Sequence, residues 1–319
     1  MIGVDIGGTK TRAIAIDLSG KRIARGVAEG VNPAVVGRSK VESVLKDLLL
    51  SLLRELDTKP SNVTCVGIGS AGVGKGYWTE IFVSALSSIG IDSSRIRVYE
   101  DYRVAHTAAF LFGDGILVIS GTGSSVYARC RDVEVKVGGW GHLLDDGGSA
   151  YQVGRDGMRE ALRFFDGRGE KTVLLEKMLR YLSIDDPSFV IPRVYGSENP
   201  KQVIAGFAPY VVESCREGDE VACRIIERSI DELAELIVAA LRRTSYMCRD
   251  VAIVGGYWEG IEHIARDKLI DRVEKLCSVR INLVKPAIDS SCAAAVMAMK
   301  DLGILTAEAM KLVTDLCRW

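Results

Sequence analysis

Two glycine-rich turns constrain this chain more than any other feature. One is Val4-Asp5-Ile6-Gly7-Gly8-Thr9-Lys10-Thr11. The other is Val118-Ile119-Ser120-Gly121-Thr122-Gly123-Ser124-Ser125, and Gly121 lies 114 positions after Gly7. Each turn follows a short apolar run and leads into a second and a third β-like run. A glycine turn carrying a hydroxyl residue can present backbone N–H groups to phosphate. Two such turns facing each other would grip a nucleotide's phosphates from both sides.

The spacing extends to a repeated order of elements. Residues 2–6, 11–17 and 21–28 read as three strands, with Ser19-Gly20 at a turn. Apolar residues Val41, Val44, Leu45, Leu48, Leu49, Leu52, Leu53 and Leu56 recur at the helical period over 39–56, with Pro60 just beyond. A strand at 63–69, a helix near 79–90 and a strand at 96–100 follow. The same β-β-β-α-β-α order restarts at 115, with strands at 115–119, 124–130 and 133–137. Helices are expected near 148–165, 172–182 and 219–243. A strand at 251–254, a helix near 260–276 and a strand at 279–284 come next, then helices near 289–301 and 305–317. The pattern reads as a degenerate internal duplication with a cleft between its halves. The expected domains are 1–107 and 108–319, the last helix, about 303–319, packing back on the first. The polar stretch 183–200, with three prolines, reads as surface loop.

Composition narrows the function classes. A chain of 319 residues is long enough for two domains, and its 48% hydrophobic content can fill two cores. A formal net charge of −1 argues against a broad nucleic-acid surface. No apolar run reaches membrane-spanning length. The N-terminal run enters a strand pattern at once, so no secretory signal is expected. Eight cysteines, none spaced C-x-x-C, read as reduced, mostly buried thiols of a cytoplasmic protein.

Several residues carry candidate chemistry. Asp5 ends a buried strand beside the first turn, where a carboxylate can hold Mg²⁺, often through water. Neither turn is a Walker A loop or a G-x-G-x-x-G fingerprint. Asp101 follows the strand 96–100, well placed for a general base but equally for a helix N-cap. The stretch from Gly138 to Tyr151 holds five glycines, two acids, Trp140 and His142. So many glycines suit a loop wrapped closely round a polar ligand. Asp146 could accept sugar hydroxyls there, and Ser149 could cap the next helix. His142 reads best as a structural residue of the loop. Gly255-Gly256, after an apolar strand, suits either close approach of a flat group such as adenine or a plain strand-to-helix turn. Asn32, in the loop after the third strand, is uninformative alone.

The residues Asp5–Thr11, Ser120–Ser124, Gly138-Gly-Trp-Gly-His142 and Asp146-x-Gly-Ser-Ala150 resemble the N-acetylglucosamine kinase branch of the BadF/BadG/BcrA/BcrD family. Archaeal broad-specificity hexokinases of that branch are similar too. The resemblance covers residue 3 to about 295. It implies an α/β chain of two ribonuclease-H-like domains, the actin-like ATPase fold, with an interdomain cleft. It implies Asp101 as catalytic base and Asp5 as the magnesium-associated acid. Gly7, Gly8, Thr9 and Lys10 match the first phosphate loop, and Thr122, Gly123 and Ser124 the second. Asn32, Asp101, Thr122, Gly139, Asp146 and Ala150 match sugar-contacting positions, and Gly255 and Gly256 the adenosine region. The branch's Gly-Asp-Glu-Gly-Ser reads here Asp145-Asp146-Gly147-Gly148-Ser149. That departure bears on sugar specificity more than on phosphate chemistry.

The expected activity is ATP- and Mg²⁺-dependent phosphorylation of a hexose or amino sugar. The implied partners are a small-molecule sugar and a second copy of the chain, with no nucleic acid or membrane. Two rivals stay open: an ATPase that activates a partner redox enzyme, and a non-catalytic sugar sensor. The first would need cluster-binding cysteines, and the sequence shows no matching pattern.

Overall fold

The computed structural model describes residues 1–8, 10–31, 36–73 and 76–318. It divides into two compact units, Met1–Gly113 with Lys285–Trp319, and Asp114–Val284. The segment that rejoins the first unit is therefore longer than the single final helix expected.

The first unit opens with β1 (Ile2–Ile6), β2 (Lys10–Ile16) and β3 (Ile23–Glu29), an antiparallel meander. Helix α1 (Arg38–Glu55) buries Val41, Leu45, Leu48, Leu49, Leu52 and Leu53, the stripe its period predicts. Strand β4 (Val66–Ser70), α2 (Tyr77–Ser87), β5 (Ile96–Glu100) and α3 (Asp101–Phe110) follow. The sheet order is β3-β2-β1-β4-β5, with β4 and β5 parallel to β1. Strand β4 starts three residues later than expected. The Val63 carbonyl instead accepts from the Arg95 guanidinium at 2.8 Å.

The second unit repeats the plan. Strands β6 (Gly115–Ser120), β7 (Ser124–Cys130) and β8 (Val133–Gly138) form its meander. Then come α4 (Ala150–Phe165), α5 (Leu174–Leu182), α6 (Val190–Tyr195), α7 (Pro200–Ala205), α8 (Ala208–Arg216) and α9 (Glu220–Arg243). Strand β9 (Asp250–Val254), α10 (Gly256–Cys277) and β10 (Asn282–Val284) complete it. The sheet order is β8-β7-β6-β9-β10, the order of the first sheet over again. The stretch 183–200 is not plain loop. It holds a short 3₁₀ turn at Pro187–Phe189, then α6 and the start of α7. Pro187 and Pro200 occupy first-turn positions, where proline's missing N–H does no harm.

The chain then returns to the first unit as α11 (Ser290–Asp301) and α12 (Ala307–Leu316). Helix α11 lies directly on β1 and β4. A Cβ on Gly3 would stand 1.7 Å from the Ser291 carbonyl oxygen, and one on Gly67 1.8 Å from that of Ala294. Gly3 and Gly67 are register partners on one face of the sheet, so together they make the seat for the alanine-rich helix.

Six cysteines are paired, contrary to the expectation of reduced thiols: Cys130–Cys248, Cys215–Cys223 and Cys292–Cys317. Spacing hid these pairs because the fold, not the sequence, brings their elements together. Cys65 and Cys277 are the unpaired cysteines among the described residues. No described helix is long and apolar enough to cross a membrane.

Candidate active site

In the first unit, strand alternation sets the site. Asp5 shares its face of β1 with Gly3, the glycine against which α11 packs. That face meets the N-terminus of α11, where Asp289 caps the helix by accepting from the Ser291 N–H at 2.8 Å. Burial, then the charges of Asp289 and Asp101, push the Asp5 carboxyl up to about 7, against the pull of Arg12. Arg12 is the register partner of Asp5 on β2.

Asp101 is the first residue of α3, not its N-cap; Glu100 holds the cap position. The Asp101 carboxylate accepts from the Tyr102 N–H at 2.8 Å. The β1–β2 turn is closed by the Gly7 N–H donating to the Lys10 carbonyl at 3.0 Å. A Cβ at Gly8 would meet nothing within 4 Å, so that side of the turn is open. Thr9 and Asn32 lie outside the described residues. Among those described, no group of three or more His, Cys, Asp or Glu is arranged to hold a metal directly.

In the second unit, three segments singled out by sequence converge. The Gly121 N–H donates to the Gly123 carbonyl at 3.0 Å, closing the β6–β7 turn. The loop 138–149 is stitched to this turn. Ser120 Oγ donates to the Gly148 carbonyl at 2.8 Å, and Ser124 Oγ to that of Gly147 at 2.6 Å. The first N–H groups of α4 find the same turn: Ala150 donates to the Gly121 carbonyl at 2.9 Å and Tyr151 to that of Thr122 at 3.2 Å. Ser149 caps α4 as expected, accepting from the Gln152 N–H at 3.2 Å.

Gly255 joins the same cluster. Its φ is +118°, and a Cβ there would stand 2.5 Å from the Ser120 carbonyl oxygen, so glycine alone fits. Gly256 then opens α10 with open space beside it and no side-chain cap. Gly139, at φ +71°, packs against Ser125.

Asp146 is the chemically pointed residue of the loop. Its side chain is 5% exposed, and Oδ2 has no hydrogen-bond partner. Lys201 Nζ stands 3.4 Å away, within ionic reach but outside hydrogen-bond geometry. Oδ1 accepts a long bond, 3.4 Å, from the Ser124 N–H. A buried carboxylate oxygen without a donor is costly, so this atom is ready for a ligand's O–H or N–H. His142 stands edge-on to Tyr151, ring centroids 5.0 Å apart.

With this geometry in view, the chain matches the model of the BadF/BadG/BcrA/BcrD ATPase family over residues 2–295. The chain belongs to that family. It is 28% identical over 307 residues to an N-acetylmuramic acid/N-acetylglucosamine kinase of Clostridium acetobutylicum, covering 94% of this chain and 98% of the relative. It is 29% identical over 254 residues to an N-acetyl-D-glucosamine kinase of Dictyostelium discoideum, covering 76% and 79%. A crystal structure from Chromobacterium violaceum, solved as a candidate N-acetylglucosamine kinase, superposes with a TM-score of 0.74 at 22% identity. That match covers 93% of this chain and 98% of the other. At that identity the likeness carries the fold alone: two α/β halves of the actin-like sugar-kinase kind.

Sequence reasoning passed over Asp289, Lys201 and Glu232. Asp289 had a visible signal, since Asp-x-Ser before an apolar run marks a helix start. Nothing in the sequence placed it beside Asp5.

Proposed function

We propose that this ATPase-family chain phosphorylates a hexose or amino sugar with ATP. The two curated relatives act on N-acetylglucosamine, and one of them also on N-acetylmuramic acid. The observation that best supports the reading is the buried, donorless Oδ2 of Asp146 beside the second glycine turn. A carboxylate oxygen of that kind suits a sugar hydroxyl or amide N–H.

In this reading Thr122, Gly139, Asp146 and Ala150 line the sugar, together with Asn32. Asp101 accepts the proton of the attacking hydroxyl as that oxygen reaches the γ-phosphorus. Phosphoryl transfer asks mainly for positioning and charge stabilisation, so one carboxylate base suffices. Gly7, Gly8, Thr9 and Lys10, with Thr122, Gly123 and Ser124, offer amides and hydroxyls to the phosphates. Gly255 and Gly256 leave room for the adenosine, and the uncapped start of α10 favours negative charge.

The residues round Asp5 fit a divalent cation. Its carboxyl is held against the charges of Asp289 and Asp101, a conflict that a cation relieves. Asp5 would hold Mg²⁺ there, through water. An ion held there would supply charge screening to the transferring phosphoryl group.

The test is ADP release measured over a panel of glucose, mannose, glucosamine and N-acetylglucosamine, for wild type and Asp101→Asn. The variant should keep sugar binding, read by calorimetry, while turnover falls roughly a hundredfold or more. Near-normal turnover would remove Asp101 from the mechanism. No ADP release on any sugar would sink the kinase reading.

A further inference from the structure

Gly147 is a glycine for want of space, not for its backbone. Its φ is not in the left-handed region, so another residue could adopt its conformation. A Cβ there, however, would stand 2.6 Å from Oε2 of Glu232 and 3.1 Å from its Cδ. The carboxylate of Glu232 therefore reaches from the middle of α9 to the backbone of the sugar loop, into room that a side chain at 147 would fill.

Glu232 pays for that position. Burial, then the charges of Glu235, Asp145 and Asp156, push its carboxyl up, and Arg228 opposes them. The Arg228 guanidinium is 3.7 Å away, a loose pair between half-exposed groups. Glu232, Asp146, His142, Gln152, Arg155 and Arg228 share one small pocket of about 150 Å³. Arg155 is already engaged, its guanidinium 2.9 Å from the buried Asp156 carboxylate. The pocket thus brings together three carboxylates, Asp145, Asp146 and Glu232, and Oδ2 of Asp146 lacks a hydrogen-bond donor.

We infer that Glu232 is a specificity-determining residue of the sugar site, accepting a hydrogen bond from an O–H or N–H of a neutral or amino sugar held at Asp146. This rests on the sugar-kinase reading above and deepens it. The carboxylate comes from a distant helix, and Gly147 is what admits it.

The test uses the whole chain and whichever of glucose, glucosamine and N-acetylglucosamine the wild type turns over fastest. Glu232→Ala should raise the KM for that sugar roughly 10- to 100-fold, the worth of one hydrogen bond to a charged group. The KM for ATP should stay put, kcat should change by no more than a few-fold, and the melting temperature should hold. Glu232→Gln, which keeps the shape, should raise the sugar KM less. Gly147→Ala should mimic Glu232→Ala by displacing the carboxylate, and the double variant should be no worse than Glu232→Ala alone. A folded Glu232→Ala protein whose sugar KM lies within twofold of wild type overturns the inference. So do two single effects that simply multiply in the double variant. Calorimetric sugar binding reads the same comparison without turnover. Loss of the kinase reading alone therefore leaves Glu232 with its own answer, and absence of any sugar binding overturns both.

Discussion

Asp5 sits where a carboxylate is hard to ionise, boxed in by α11 and by two other acids. Its carboxyl is raised from 3.8 to about 7. Between those pH values folding takes up a proton. The stability that Asp5 contributes is therefore present in full below about pH 4 and lost as pH rises toward 7. Asp5→Asn removes the conflict. Without magnesium it should melt several degrees above wild type at pH 8, roughly 2–4 °C for each kcal/mol recovered. That gap should close near pH 4. A gap that stays constant from pH 4 to 8 would mean Asp5 is not the group concerned. The same variant should lose magnesium-dependent ADP release, which would make this a position where activity and stability oppose each other. Asp5, Asp101 and Asp146 could be picked out beforehand because each follows a strand or stands among glycines. Asp289 and Glu232 could not. One looks like an ordinary helix cap and the other like an ordinary charged helix residue, and only packing puts them beside the loops that matter.

At the scale of elements, α11 shows how a sheet accepts a helix at backbone distance. Gly3 and Gly67 are bare on the face that meets Ser291 and Ala294, and the small side chains of Ala293, Ala294 and Ala295 are fully buried. Gly67→Ala has nowhere to put its methyl group except into the helix backbone. It should lower stability by about 1–3 kcal/mol or more, read from urea unfolding. Gly8→Ala, facing open space, should stay within about 0.5 kcal/mol of wild type. Equal losses in the two variants would contradict the packing described. The meanders, α1 and α9 were legible in the sequence because one buried face imposes a clean period. Helices α6, α7 and α8 were not. They run to six, six and nine residues, too short to establish a period. Over 183–200 the prolines suggested loop, although proline is at home in a first helical turn.

For the molecule as a whole, the duplication was legible and the cross-links were not. A shift of 114 residues aligns the glycine turns, and both sheets carry the same strand order. The disulfide partners stand 118, 8 and 25 residues apart, separations with no signature of their own. They differ in what they close. Cys130–Cys248 joins the end of β7 to the segment before β9, enclosing all the intervening helices, while Cys215–Cys223 spans only the turn between α8 and α9. If a cross-link acts by limiting the unfolded chain, the longer loop matters more: about 5 kcal/mol against about 2–3 kcal/mol. The paired change Cys130→Ser with Cys248→Ser should therefore lower the melting temperature more than Cys215→Ser with Cys223→Ser, and added reductant should lower that of the wild type. Identical melting with and without reductant would show that the cysteines are not joined in solution. The reverse ranking of the two variants would show that local packing round each sulfur pair, not the length of chain enclosed, sets their contribution.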